Sequence, residues 1–296
     1  MSTQKNLRFL TFILCCVVIF STFHCGGKKS DTQLKAMSFN IRYDNPDDGE
    51  NAWPHRKEMV AQTIMFHGVD FLGIQEALDT QVQDLANLLP EYAWIGFGRD
   101  DGQKRGEYAP IFFLRERFRL FEKGCFWLSE TPEVPGSMGW DAACPRIVTW
   151  GKFQDTKNRC EFYFVNTHFD HVGSTAREKS AELLLKRLDE KVRDKPLIIT
   201  GDFNCTQEES PYVILTQGLE GIPGVKDAQY LSENGHYGGT QTFNGFKDTL
   251  RPGLKIDFIF VRNIDRVINH GIIADRWDGR FASDHYPIHA EVTFHY

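Results

Sequence analysis

Six short strings set a chemistry-bearing side chain against an apolar, strand-like run: Ser38-Phe39-Asn40, Gln75-Glu76, Asn166-Thr167-His168, Gly201-Asp202-Phe203-Asn204, Ile256-Asp257-Phe258 and Ser283-Asp284-His285. Together they supply carboxylates, amides and imidazoles, the groups that hold a hard divalent cation and move protons. Singly, each has an ordinary explanation. Asn40 reads as a turn former, Glu76 as a surface carboxylate at a helix start, and Gly201-Asp202 as a turn in which Asp202 and Asn204 close an Asx turn. Asp257 is harder to dismiss. A polar group in an apolar strand costs roughly 2–7 kcal/mol if uncompensated, so a partner such as His285 is implied.

Such residues can cooperate only if strand ends carry them to one rim. Strand-like runs occupy residues 35–41, 71–75, 93–97, 111–115, 147–154, 161–167, 197–200, 256–261, 267–273 and 288–294. Helices fall between several of them. The clearest puts Ala181, Leu184, Leu185, Leu188 and Val192 on one face, with Thr175 and Glu178 spaced as a capping box at its start. The strands are too many for one doubly wound sheet, and the helices lie mainly in the first and third quarters. The pattern predicts an α/β fold, a four-layer α/β/β/α sandwich of two mixed, mainly antiparallel sheets packed face to face and flanked by helices. No linker, repeat or charge block interrupts residues 34–296, which read as one domain.

The 296-residue chain is 41% hydrophobic and holds 24 Phe, enough for a substantial core with bulky side chains filling the space between layers. Disorder and a peptide-sized disulfide scaffold are excluded. With 34 basic and 40 acidic side chains, formal charge -6, the chain lacks the basic surplus of a general duplex-DNA binder. Residues 1–25 read apart from the rest. Lys5 and Arg8 precede an apolar run from Phe9 to Phe23, and Cys25 opens the polar Gly26-Gly27-Lys28-Lys29-Ser30, the three-part layout of an export signal. Cys25 followed by two glycines is similar to a bacterial lipoprotein cleavage site, where the cysteine is acylated. The expectation is an exported protein, anchored to a membrane through Cys25 in the periplasm or at the cell surface, or else secreted, with residues 26–33 as a tether. Loss of the leader removes Lys5 and Arg8 and no carboxylate, taking the charge from -6 to -8. Cys125, Cys144, Cys160 and Cys205 remain; they allow three disulfide pairings or buried free thiols, and none shows Cys-x-x-Cys spacing.

Taken in order, Asn, Glu, a strand-end His, Gly-Asp-Phe-Asn, an in-strand Asp and Ser-Asp-His resemble the signature of the endonuclease/exonuclease/phosphatase superfamily, over residues 34–296. Four longer strings are similar to a bacterial branch near its deadenylase-like members. They are Gly106-Glu107-Tyr108-Ala109-Pro110-Ile111-Phe112, Trp127-Leu128-Ser129-Glu130-Thr131-Pro132, Gly139-Trp140-Asp141-Ala142-Ala143-Cys144-Pro145-Arg146 and Asn166-Thr167-His168-Phe169-Asp170-His171. The resemblance implies the same four-layer sandwich and a phosphoesterase dependent on Mg²⁺ or Mn²⁺. It makes Glu76 the principal metal ligand, aided by Asn40 and Asp284. His285, oriented by Asp257, would position or deprotonate the attacking water or contact the phosphoryl oxygen, with Asp202 and Asn204 near the same phosphate. His168 would donate to a phosphate oxygen and Arg146 would stand by as a second cation.

Asp170, His171 and Arg177 are candidates for shaping a substrate pocket, as are Thr242, Phe243 and Asn244. A zinc trio of His168, Asp170 and His171 is the competing reading; on a continuing strand, alternation would leave His171 facing away. Trp127, Trp140 and Trp150 either stack on a base, sugar or lipid or are buried in the core. The expected function is metal-assisted hydrolysis of P–O bonds by water, with a nuclease-type phosphodiester first. A phosphatase or phosphodiesterase of small or lipid-headgroup substrates, of sphingomyelinase or inositol phosphate type, comes second. The partner is accordingly a phosphate ester, whether nucleic acid, nucleotide or phospholipid headgroup, and the chain is expected to be a monomer. A noncatalytic surface lipoprotein would have lost Glu76, Asp202, Asp257 or His285, and all four are present.

Overall fold

The computed structural model describes residues 31–295; Cys25 and the leader lie outside them. The first half runs β1 (Thr32–Asn40), α1 (Lys57–Phe66), β2 (Phe71–Gln75), α2 (Asp79–Leu88), β3 (Tyr92–Ile95), β4 (Ile111–Leu114), β5 (Phe118–Trp127) and β6 (Ile147–Asp155). Then come β7 (Glu161–His168), α3 (Ser174–Val192), β8 (Leu197–Asp202), α4 (Ser210–Gln217) and the short β9 (Gly218–Leu219), β10 (Ile222–Pro223) and β11 (Lys226–Asp227). The chain closes with α5 (Ala228–Leu231), β12 (His236–Tyr237), β13 (Asp257–Arg262), β14 (Arg266–Ile272) and β15 (Ile288–Phe294). Among the described residues no helix is long and apolar enough to cross a membrane.

Two sheets carry the fold, one in the order β12-β14-β15-β1-β2-β4-β3 and the other β11-β13-β8-β7-β6-β5. The pairs β1/β2 and β7/β8 at their centres are parallel, whereas β15/β1 and β13/β8 are antiparallel. Strand alternation divides the apolar side chains among three layers of contact. Phe71, Phe113, Phe153, Phe162, Phe164, Ile198 and Ile259 meet between the sheets. Leu72, Ile74 and Phe39 face outward under Val60, Ile64, Val82 and Leu85 of α1 and α2. Ile199, Phe258 and Phe260 pack under Leu184, Leu188 and Leu215 of α3 and α4. Helix, sheet, sheet and helix are thus stacked as expected.

Just beneath the rim the two sheets approach closely at Gly73, and the contact turns polar. A Cβ on Gly73 of β2 would collide with Thr200 Oγ1 and Asn166 Oδ1 of the other sheet, so only glycine allows this approach. Asn166 Nδ2 donates to the carbonyls of Ile74 (2.6 Å) and Pro110 (3.0 Å), and its Oδ1 accepts from Gln75 Nε2 (2.7 Å) and Thr200 Oγ1 (3.0 Å). A buried amide with all its capacity used fixes the register of one sheet on the other.

Several local expectations change. Strand β5 is long but was not anticipated from sequence, because Arg119, Phe121, Glu122 and Lys123 are exposed and its ladder with β6 is interrupted between Leu120 and Glu122. The capping box of Thr175 and Glu178 does not form. Helix α3 starts two residues earlier, at Ser174 with Gly173 in the cap position, and the Asp141 carboxylate accepts from Thr175 N (3.3 Å) and Ala176 N (2.6 Å) instead. Cys125, Cys144, Cys160 and Cys205 are all free thiols. Trp127 and Trp150 are buried and Trp140 is half-buried.

Candidate active site

The strand directions explain why residues far apart in sequence meet. Strands β1, β2, β7 and β8 end at the same rim at which β13 begins and the segment leading into β15 descends. Asn40, His168 and Asp202 are the last residues of β1, β7 and β8; Glu76 follows β2, Asp257 opens β13 directly opposite Asp202, and Asp284 and His285 precede β15. All six strings converge. Three site residues sit in left-handed backbone that non-glycine residues seldom adopt, Arg42 at φ 58°, Glu76 at φ 66° and Asn204 at φ 48°. Such strain is held only where surrounding contacts over-determine it, and it clusters at functional sites.

Hydrogen bonds knit the cluster. Asn40 Nδ2 lies 3.0 Å from Glu76 Oε1, 3.0 Å from Asp202 Oδ2 and 3.4 Å from His285 Nε2, while its Oδ1 accepts from Arg42 N at 3.0 Å. His285 Nδ1 is 2.9 Å from Asp257 Oδ2, which fixes the ring and turns Nε2 toward Asp202, 3.8 Å away. Asp257 is therefore the partnered carboxylate its sequence setting demanded. Thr242 Oγ1 accepts from the N–H groups of Ile256 and Asp257, Phe243 sets its ring 5.1 Å from that of His285, and Asn244 N donates to the Asp284 carbonyl. Of these three only Phe243 lines the pocket; the other two brace its walls.

Burial sets the protonation states. Desolvation and then the Asp257 charge push the Asp202 carboxyl up to about 7. For His285 burial works downward, but Asp257, Asp202 and Asp284 outweigh it and hold the imidazole well above its ordinary range. His168 goes the other way, lowered by burial and by the charges of Arg146 and Arg99. Neutral His168 receives the Asn204 amide, with Nδ2 3.0 Å from its Nε2 and 3.0 Å from the Phe169 carbonyl, and lies 3.5 Å from Asp202 Oδ2.

Two carboxylates, Glu76 and Asp284, share a corner with Arg42, whose guanidinium is 3.9 Å from one and 4.0 Å from the other. Burial lifts the Asp284 carboxyl, and neighbouring Glu76 adds to the lift. Crowded, partly desolvated carboxylates of this kind suit a hard divalent cation, which would relieve their repulsion. Among the described residues two tighter clusters also offer ligand atoms within 4.8 Å of one another: Asp202 with Asp257 and His285, and Cys144 with Asp170 and His171. The second is not the trio expected from sequence. β7 ends at His168, so alternation no longer governs residues 169–171, and His171 rather than His168 accompanies Asp170.

These groups open onto a cavity of about 530 Å³ that extends from Glu76, Asp284 and His285 to Arg99, Arg146 and His171. Arg146 is buried, with Nε 3.3 Å from Asp170 Oδ1 and Nη2 2.9 Å from His171 Nδ1. Asp170 is fully enclosed. Burial alone would raise its carboxyl, but the N–H groups of Gly173, Val172 and Ala143 and the Arg146 charge hold it down to about 2. It thus anchors the wall and does not line the cavity, while Arg177 reaches back to its carbonyl. Arg42, Tyr43, Arg99 and Glu107 also face the cavity and were not singled out from sequence as site residues. Arg42 sits two residues beyond Asn40, the only local signal; Arg99 and Glu107 lie on a loop that only the tertiary structure brings to the rim.

The family model described as Endonuclease/Exonuclease/phosphatase matches residues 37–285. A solved endonuclease/exonuclease/phosphatase of Bacteroides vulgatus is 42% identical, with 88% of this chain and 98% of that one covered at TM-score 0.84. A mannosyl-6-phosphatase of Bacteroides thetaiotaomicron is 36% identical, covering 88% and 100% at TM-score 0.82. The catalytic domain of human Nocturnin, 20% identical over 88% of this chain and 93% of its own at TM-score 0.69, shares the fold. A curated protein of Acanthamoeba polyphaga mimivirus is 24% identical over 85% of this chain, which spans only 42% of that protein's length.

Proposed function

The chain belongs to the endonuclease/exonuclease/phosphatase family and is a metal-dependent hydrolase, and from that premise we propose that it cleaves a small, polar phosphate ester, a phosphomonoester first, with Mg²⁺ or Mn²⁺. One observation carries this reading: one cavity of about 530 Å³ unites the carboxylate corner, His285 and three arginines. That volume suits a small ligand. A duplex needs a long basic track that neutralises many phosphates, which an acidic body does not favour. The kinship with a mannosyl-6-phosphatase over the whole of that chain supports a phosphomonoester of a sugar. A nuclease-type phosphodiester, a deadenylase-like specificity and a lipid headgroup rank behind it.

Glu76 and Asp284, with Asn40 beside them, would hold the cation, which supplies charge neutralisation for the phosphate. Asp257 holds the His285 ring in place, and His285, charged by its carboxylate neighbours, donates Nε2–H to a phosphoryl oxygen. Asp202, with its carboxyl near neutrality, accepts the proton of the attacking water. Asn204 keeps Asp202 aligned through its N–H, 2.9 Å from Oδ1, and holds His168. Arg42 adds positive charge where the phosphate sits. We further propose export of the chain and attachment through Cys25, with secretion as the alternative, on the strength of the leader's layout, and action as a monomer.

The purified chain should hydrolyse p-nitrophenyl phosphate and hexose 6-phosphates with Mg²⁺ and lose that activity to chelator. Glu76→Gln should cut kcat by about 100-fold or more. Turnover indifferent to both would refute the metal-assisted mechanism, and a higher kcat/KM on oligonucleotides than on sugar phosphates would return the nuclease reading to first place.

A further inference from the structure

Away from the reacting groups the cavity has a second pole that the hydrolysis does not use. There Arg99 Nη1 donates to Glu107 Oε2 at 2.6 Å, and Arg146 is paired with Asp170. Between these pairs, with His168 on a third side, lies a recess of about 10 Å³, the room of roughly one water molecule. Two buried N–H groups at this pole, Arg99 Nε and Arg146 Nη1, make no hydrogen bond, the first having only Asp100 Oδ1 at 3.9 Å, and Arg146 is 4% exposed. Unsatisfied buried donors are costly, and a ligand oxygen that accepts from them would recover that cost.

Size and charge select among ligands. A space for one water-sized group admits a hydroxyl oxygen and excludes a second phosphate. Because each guanidinium already faces a carboxylate, the pole holds no surplus positive charge to draw another anion. The pair is also rigidly mounted: Arg99 N donates to the Glu107 carbonyl (3.0 Å), Trp127 Nε1 donates to the Arg99 carbonyl (2.6 Å), and Gly106, at φ 78°, carries the chain between them.

We propose that this recess reads one hydroxyl of the substrate's leaving group, Glu107 accepting the hydroxyl hydrogen bond and Arg99 with Arg146 donating to its oxygen, so that Glu107 determines specificity for polyhydroxylated phosphate esters. The inference rests on the phosphomonoesterase reading and deepens it.

The test compares mannose 6-phosphate with p-nitrophenyl phosphate, whose leaving group offers no second hydroxyl, in the wild-type chain, Glu107→Gln and Glu107→Asp. Glu107→Gln should lower kcat/KM on the sugar phosphate by about 10-fold or more, chiefly through KM, and change p-nitrophenyl phosphate by less than about twofold. Glu107→Asp should fall between, and the Mg²⁺ concentration for half-maximal rate should not move. Equal losses on both substrates, no loss on either, or a raised Mg²⁺ requirement would each overturn the assignment. Should Glu107→Gln fail to fold, a series of singly deoxygenated hexose 6-phosphates on the wild-type chain asks the same question. One position should cost about 10-fold or more, and a series without such a position would overturn the proposal. A wild-type chain inert on both parent substrates with Mg²⁺ would sink the phosphomonoesterase reading, and the role of the recess with it.

Discussion

Asp202 illustrates what a site residue costs its fold. Its carboxyl titrates at about 7 in the folded chain against an ordinary 3.8, because burial and the Asp257 charge oppose its ionisation. Between those values the folded chain binds a proton that the unfolded chain releases, so stability falls as pH rises through that window. His285 adds to the trend. Its folded pKa is raised, so its contribution is complete below the unfolded value of 6.5 and is lost as pH climbs through the folded one. These two groups therefore contribute more stability on the acid side of neutrality than on the alkaline side, against the buried neutral His168, His270 and His289, which lose theirs as pH falls below 6.5. Asp202→Asn keeps the shape and one of the two accepted bonds, that from Asn204 N to Oδ1, gives up the acceptor that Asn40 Nδ2 meets at Oδ2, and removes the charge. Its melting temperature in chelator at pH 8 should rise by roughly 4 °C, with the gain fading toward pH 4, as activity disappears. An unchanged or lower melting temperature at pH 8 would mean that the ionised carboxylate's contacts outweigh its burial.

At the level of elements, legibility tracked burial. Asn40, Glu76, His168, Asp202, Asp257 and His285 could be found in the sequence because each interrupts an apolar strand, and the strand ends were readable for the same reason. β5 escaped notice because the charged middle of an edge strand carries no alternating apolar signal. The start of α3 was misjudged because its cap comes from a distant loop: Asp141, 34 residues before Thr175, occupies the place a local side chain was expected to fill. The same loop delivers Cys144 and Arg146 to the pocket wall, so Asp141 secures both a helix end and a substrate surface. Asp141→Ala should cost about 0.5–2 kcal/mol in urea unfolding. It should also raise KM for the sugar phosphate more than it lowers kcat. A stability loss without any change in KM would separate the cap from the pocket. Arg99 had no local pattern to betray it, and Glu107 lay in a string that carried a resemblance but no role, since loop residues acquire meaning only from what they are folded against.

For the molecule as a whole, the aromatic filling between the sheets is what holds the rim together. Phe71 is its hub, with ring centroids 4.6 Å from Phe118, 4.8 Å from Phe153, 4.9 Å from Phe164 and 5.2 Å from Phe162. Phe71→Ala should cost about 3–5 kcal/mol by denaturant unfolding, and a loss below about 1 kcal/mol would show that the neighbouring rings collapse into the gap. The direction of β1 has a different kind of consequence. Thr32 and Asn40 stand at opposite ends of this nine-residue strand, about 26 Å apart at the usual rise. The chain enters on the underside of the sandwich, and the catalytic mouth opens on top. A tether attached ahead of Asp31 would therefore join the body at the end of the sandwich opposite the catalytic mouth, leaving the mouth clear of its own attachment point.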